Sequence, residues 1–161
     1  MAQDKFVLAD NITIDNTAIT ANGEYDIFIS DTKTNSVGLP SLRVVVEYSL
    51  LTPVDIIGGI NVVVESENNG SWYPIAYQFE AYINSQQGDK RIIMLQPDMS
   101  TYNDGVDSII WFANKTEGRI SRQQGKVGTS FRVRVDLVEN GFGGPYAFQS
   151  VKLNILGELY D

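Results

Sequence analysis

Histidine and cysteine are both absent from this chain. Without cysteine there are no disulfides, no thiolate metal ligands and no thiol nucleophile. Without histidine the imidazole routes to general-base catalysis and metal binding close as well. A Ser-His-Asp triad and a zinc site of ordinary ligands are thereby excluded. P-loop, G-x-S-x-G and G-x-G-x-x-G fingerprints are missing too. The glycine-rich Gly141-Phe142-Gly143-Gly144 falls between two predicted strands and reads as a hairpin tip, not a phosphate cradle. Long apolar runs are lacking. The nearest approach, Ser49 to Val64, is broken by Pro53, Asp55 and Gly58-Gly59, so no membrane span is expected. Met1 to Val7 shows no basic segment leading into an apolar one, and no signal peptide is expected. The sequons at Asn11, Asn69 and Asn114 then read as chance in a chain rich in Asn, Ser and Thr. Synthesis in a reducing cytosol fits this composition.

What is present is an ordinary globular composition with an uneven charge map. Hydrophobic residues make up 43% of 161 residues and mean hydropathy is −0.12, which suits one domain over residues 1–161. The net charge is −8. Residues 1–114 carry 5 basic and 15 acidic side chains, residues 115–134 carry 6 and 1, and residues 135–161 carry 1 and 4. Half of the cations therefore crowd into a twenty-residue span holding Lys115, Arg119, Arg122, Lys126, Arg132 and Arg134. An acidic body with one basic strip suits docking to an acidic surface or to another copy. It does not suit general nucleic-acid binding, which needs phosphate neutralisation over a broad face.

Period-two alternation recurs throughout, and helical periodicity is nearly missing. In Ser71–Ile83 the residues Tyr73, Ile75, Tyr77, Phe79, Ala81 and Ile83 share one face, which predicts Tyr77 and Phe79 in the core. In Thr129–Glu139 Phe131, Val133, Val135 and Leu137 oppose Arg132, Arg134 and Asp136. Val151, Leu153 and Ile155 alternate with Lys152 and Asn154. Asn22-Gly23, Asn69-Gly70, Asp104-Gly105 and Asn140-Gly141 supply positive φ for tight turns. About ten strands with this punctuation predict an all-β, antiparallel two-sheet sandwich of jelly-roll type. Val37–Glu47 and Val127–Asp136 share a Val-Gly, Ser, large apolar, Arg, alternating-Val pattern, as a duplication or two strands in equivalent positions would produce.

The remaining chemistry is limited. Glu47, Glu65 and Glu80 are the candidates for a carboxylate pair of the glycosidase kind, although acids on a strand's outer face are usually just solvated. Asp98, Asn103, Asp104 and Asp107 cluster oxygen ligands in one loop and are a calcium candidate, without EF-hand spacing. Trp72 and Tyr102 are candidate glycan contacts, the alternative being a carbohydrate-binding module or adhesin domain. No cofactor is expected, and no enzymatic activity.

The Met-Ala-Gln-Asp start, the Asn/Thr/Val/Gly strand texture and the closing Val151-Lys152-Leu153-Asn154-Ile155-Leu156-Gly157-Glu158-Leu159-Tyr160-Asp161 resemble small β-sandwich virion proteins of tailed bacteriophages, the capsid decoration or cement class. That resemblance implies a non-enzymatic protein on the virion surface, made in the host cytoplasm, associating with its own copies, commonly as trimers, and with a larger shell protein. The expected interface residues are Arg119, Arg122, Lys126, Arg132 and Arg134, with Met1–Leu8 and Leu156–Asp161 as possible arms.

Overall fold

The computed structural model describes residues 2–15, 27–51, 58–82, 85–96, 108–111, 117–120, 128–139 and 150–161. Its strands are β1 (Gln3–Asp15), β2 (Ile27–Ile29), β3 (Lys33–Thr34), β4 (Ser41–Leu50), β5 (Gly58–Asn68), β6 (Ser71–Tyr82), β7 (Lys90–Leu95), β8 (Ser108–Trp111), β9 (Glu117–Ile120), β10 (Ser130–Glu139) and β11 (Ser150–Tyr160). One sheet has the order β1-β11-β4-β7; the other has β2-β10-β5-β6, with β3 also on β10. The hairpin β8-β9 stands apart, and β9 runs close to β6.

All the pairings are antiparallel, and their order is diagnostic. β2 and β3 form one broken strand along β10; Ser30 bridges the break, its N–H donating to Val133 O and its Oγ accepting from Val133 N–H, both at 2.9 Å. With that strand counted once and the β8-β9 hairpin set aside, the described strands form four ribbons: β1 with β11, β2/β3 with β10, β4 with β7, and β5 with β6. Rolling the ribbons together brings β11 against β4 and β10 against β5. That is the jelly roll. The expected fold class is the observed one.

Alternation explains the core. In β4, Leu42, Val44, Val46, Tyr48 and Leu50 are at most 1% exposed, and in β11 Val151, Leu153, Ile155 and Leu159 match them. Across the sandwich stand Ile60, Val62 and Val64 of β5 and Phe131, Val133, Val135 and Leu137 of β10. Each such side chain contributes about 1.5–3 kcal/mol by leaving water. The similar stretches at 37–47 and 127–136 run into β4 and β10, which are interior strands of different sheets.

Two polar clasps join the sheets at opposite edges. Lys33 of β3 lies 2.7 Å from Asp4 of β1 and 4.8 Å over the Phe6 ring. At the other edge Tyr48 donates to Glu80 Oε1 at 3.0 Å, and Arg91 approaches the same oxygen at 3.5 Å and donates to Ser85 at 2.9 Å. Phe6 packs on Phe131 at 5.5 Å and covers Gly157, where a Cβ would overlap the ring. Only glycine admits that approach.

One expectation changes. Val64 pairs with Ala76 but Glu65 with Pro74, so β6 bulges at Ile75 and its facing reverses. Tyr77 and Phe79 therefore face outward; Phe79 is 46% exposed, while Glu80 turns inward to Tyr48. Within the segments expected to reach a contact, Gln3–Val7 pairs with Leu156–Tyr160 as sheet strands. The turn at Asn69-Gly70 has the expected positive φ, 52° and 82°; Asn22-Gly23, Asp104-Gly105 and Asn140-Gly141 lie outside the described residues.

Gly157→Ala should lower stability by about 2 kcal/mol, because Phe6 must leave its seat; denaturant unfolding measures it. Burial, and then the Glu80 carboxylate, push the Tyr48 phenol up from its ordinary value of 10.0. The folded chain keeps this proton where the unfolded chain loses it, so its stabilising effect is complete below pH about 10 and is lost as pH rises beyond that. Tyr48→Phe should unfold less steeply than the native chain between pH 9.5 and about 11, followed by circular dichroism.

Candidate interaction surface

The two sheets present unlike outer faces. On the four-stranded sheet, register sets Val7 opposite Leu156, Leu156 opposite Val45, and Val45 opposite Met94. Their inward neighbours fill the core, so these four point to solvent as one apolar row crossing every strand. Ile92, two residues from Met94 on β7, extends it. Val7, Ile92, Met94 and Leu156 are 58%, 58%, 57% and 40% exposed. They are four of the eight exposed large hydrophobic side chains among the described residues, so half of these side chains lie on one face. Such a concentration of apolar side chains on one face, rimmed by charge, is a feature that contact surfaces share.

The rim is ordered. Lys5, Glu158 and Arg43 form the next row. Glu158 lies 3.6 Å from Arg43 and accepts a hydrogen bond from Gln3, and Arg43 sits 5.5 Å over the Tyr160 ring. On the other side Glu47 lies 3.7 Å from Lys90, and Asn154 accepts from the Asn11 N–H at 2.8 Å. Between Lys5, Val7, Arg43, Val45, Leu156 and Glu158 the face dips into an open depression of about 330 Å³ with an almost wholly apolar lining.

The outward side of the five-stranded sheet is closed at its centre. Asn61, Val63 and Glu65 of β5 alternate with the core residues yet are 2%, 0% and 5% exposed. Glu65 is covered by Arg132, whose Nε donates to its Oε2 at 2.7 Å, and Arg132 lies 4.2 Å over the Trp72 ring. Register opposite Glu67, two residues beyond Glu65 on the same side of β5, places Trp72 on this side. The stack Trp72–Arg132–Glu65 holds β6, β10 and β5 together.

The predicted site residues distribute as follows. Arg132 and Arg134 share the outward side of β10, both half-buried, and Arg132 is engaged within the chain. Arg119 lies in β9 opposite Ile109. Arg122, Lys126, Tyr102, Asp98, Asn103, Asp104 and Asp107 lie outside the described residues. Trp72 is half-buried with one face against Arg132. Glu47, Glu65 and Glu80 occupy three different places: one sheet's outer face, the other sheet's outer face, and the sandwich interior. They do not form a carboxylate pair. Among the described residues no group of three or more acids gathers as a metal would need, and no helix is long and apolar enough to cross a membrane.

No family model matches the chain, and no curated protein sequence matches it. Solved structures do. A structure of infectious bursal disease virus, Gt strain, aligns with TM-score 0.53 at 12% identity over 98% of this chain and 32% of its own. The VP2 subviral particle of the same virus gives 0.51 at 10% over 99% and 33%. Its derived T=1 particles give 0.51 at 12% over 99% and 31%. The shared property is the fold. The chain spans about a third of the length of these proteins, so the likeness covers one part of each.

The apolar row escaped the sequence reading, which weighed charge and aromatics. Its signal was there: Val45, Leu156, Ile92 and Met94 each occupy a position where alternation calls for a polar residue. Arg132→Ala strands the Glu65 carboxylate under Trp72 and should cost about 3 kcal/mol in thermal or denaturant unfolding, with Glu65→Gln recovering part of the loss in the double variant.

Proposed function

We propose that this chain is a non-enzymatic structural protein of a virus particle, of the decoration or cement kind, seated on an assembled shell and in contact with its own copies. The observation that carries this is the jelly-roll topology, aligned along nearly the whole chain with proteins of infectious bursal disease virus particles. An exposed apolar face rimmed by both signs of charge favours adhesion, and Glu47, Glu65 and Glu80 lie in three separate places. Arg119, Arg122 and Lys126 are the proposed charged contact with an acidic shell surface, together with Arg134 and Arg132 on the outward side of β10, where Arg132 is already paired with Glu65. Each exposed pair is worth little alone, so attachment draws its strength from repetition over many copies. On an assembled shell, a trimer is the state favoured by the resemblance to cement proteins.

Gradient sedimentation of lysate from the cells that make the protein tests this directly. The protein should travel with nuclease-resistant particles and be labelled on their outside by antibody; recovery only at the top of the gradient would overturn the proposal. Washing those particles from about 0.05 to 1 M salt should release the protein if the strip carries the contact, since exposed charges are screened over that range.

A further inference from the structure

We infer that the outward face of the four-stranded sheet is a self-association surface, on which a second copy of this chain docks face to face about a two-fold axis running along the strands between β11 and β4. It stands on register and exposure alone and does not depend on the virion proposal.

The occupant follows from self-complementarity. Such an axis lays β11 over the partner's β4 and β1 over the partner's β7, an isologous contact in which each pairing occurs twice. The apolar row then meets itself, Val7 against Met94 and Leu156 against Val45. In the next row Glu158 meets Arg43, the pair that already attract each other at 3.6 Å within one chain. Farther along, the row Thr13, Lys152, Ser49, Lys90 sets Thr13 against Lys90 and Lys152 against Ser49. No like charges oppose one another in these rows, although Lys5, Arg43, Lys90 and Lys152 all lie on the face. A random partner surface offers no such match.

The size of the face bounds the strength. Four strands about 4.8 Å apart, the longest-paired about 34 Å long, give on the order of 600 Å² per copy. That falls somewhat below the roughly 800 Å² per partner of a standard stable interface. Twisted sheets also cross at about 30°, so the central rows make most of the contact. A dimer dissociating at about 10–100 µM is expected in free solution.

Sedimentation equilibrium of the purified full chain, from about 5 µM to 1 mM, should show a monomer–dimer equilibrium in that range. Met94→Asp and Leu156→Asp should each weaken it by about tenfold or more, with an unchanged unfolding midpoint. If Leu156→Asp fails to fold, Met94→Asp on the edge strand carries the test. The native chain has no cysteine, so a mixture of Val45→Cys and Leu156→Cys chains should form the mixed disulfide faster than either forms its own. A monomer at every concentration, association indifferent to Met94→Asp, or disulfides formed without preference for the mixed pair would each overturn the inference.

Discussion

The insertion of β11 between β1 and β4 is the constraint on which the rest depends. β11 is hydrogen-bonded along both sides, to a strand that opens the described chain and to one some 110 residues before it. Neither edge can be satisfied locally, so the roll must close before this strand has partners, and closing such long-range pairs costs loop entropy ahead of any return. The return is large because every second residue of β11 is sealed in the core. Gly157 belongs to the same constraint. It lets Phe6 lie across β11 and reach Phe131 in the opposite sheet, so one missing side chain ties β1, β11 and β10 together.

The same strict alternation also fixes what the molecule shows to its surroundings. Once Ile155 and Gly157 point inward, Leu156 must point outward, and its register with Val7, Val45 and Met94 is settled with it. A one-residue slip would bury this row and expose the core, so the two faces are set by one choice. The five-stranded sheet spends its outer face differently. There Asn61, Val63 and Glu65 are shut away, Glu65 under the Arg132–Trp72 stack. One face is closed within the chain at its centre and the other is left open with an apolar middle.

Most of the fold was legible because period two is a direct consequence of the pleat, and β4, β10 and β11 obey it without interruption. The failure at β6 has an equally direct cause. A bulge adds one residue to one strand, and nothing in the spacing of Tyr73, Ile75, Tyr77 and Phe79 announces it; only pairing with β5 does. Pro74, next to the bulge and on an edge strand, was the local hint. The apolar row was half legible. Ile92-Ile93-Met94-Leu95, Val44-Val45-Val46 and Ile155-Leu156 each depart from alternation, and such runs ordinarily mean a strand buried on both sides. That three of these departures, Leu156, Val45 and Met94, fall on one line across the sheet with Val7 is a property of register, which no single strand contains. The basic strip posed the opposite problem, since sequence shows charge density but not that Arg132 is already occupied by Glu65.

A face of this kind makes physical sense for a protein that works in many copies. An apolar row of four side chains is too small to drive indiscriminate aggregation on a chain of net charge −8, which keeps free copies apart. It is large enough to hold once the row is matched by another and water is excluded between them. The charged rows on either side then act chiefly on orientation, because Glu158 against Arg43 rewards one alignment and a shifted one brings Lys5 or Lys152 toward other cations. Weak, orientation-selective contacts can break and re-form until neighbouring copies agree. Strength then comes from number rather than from any single interface.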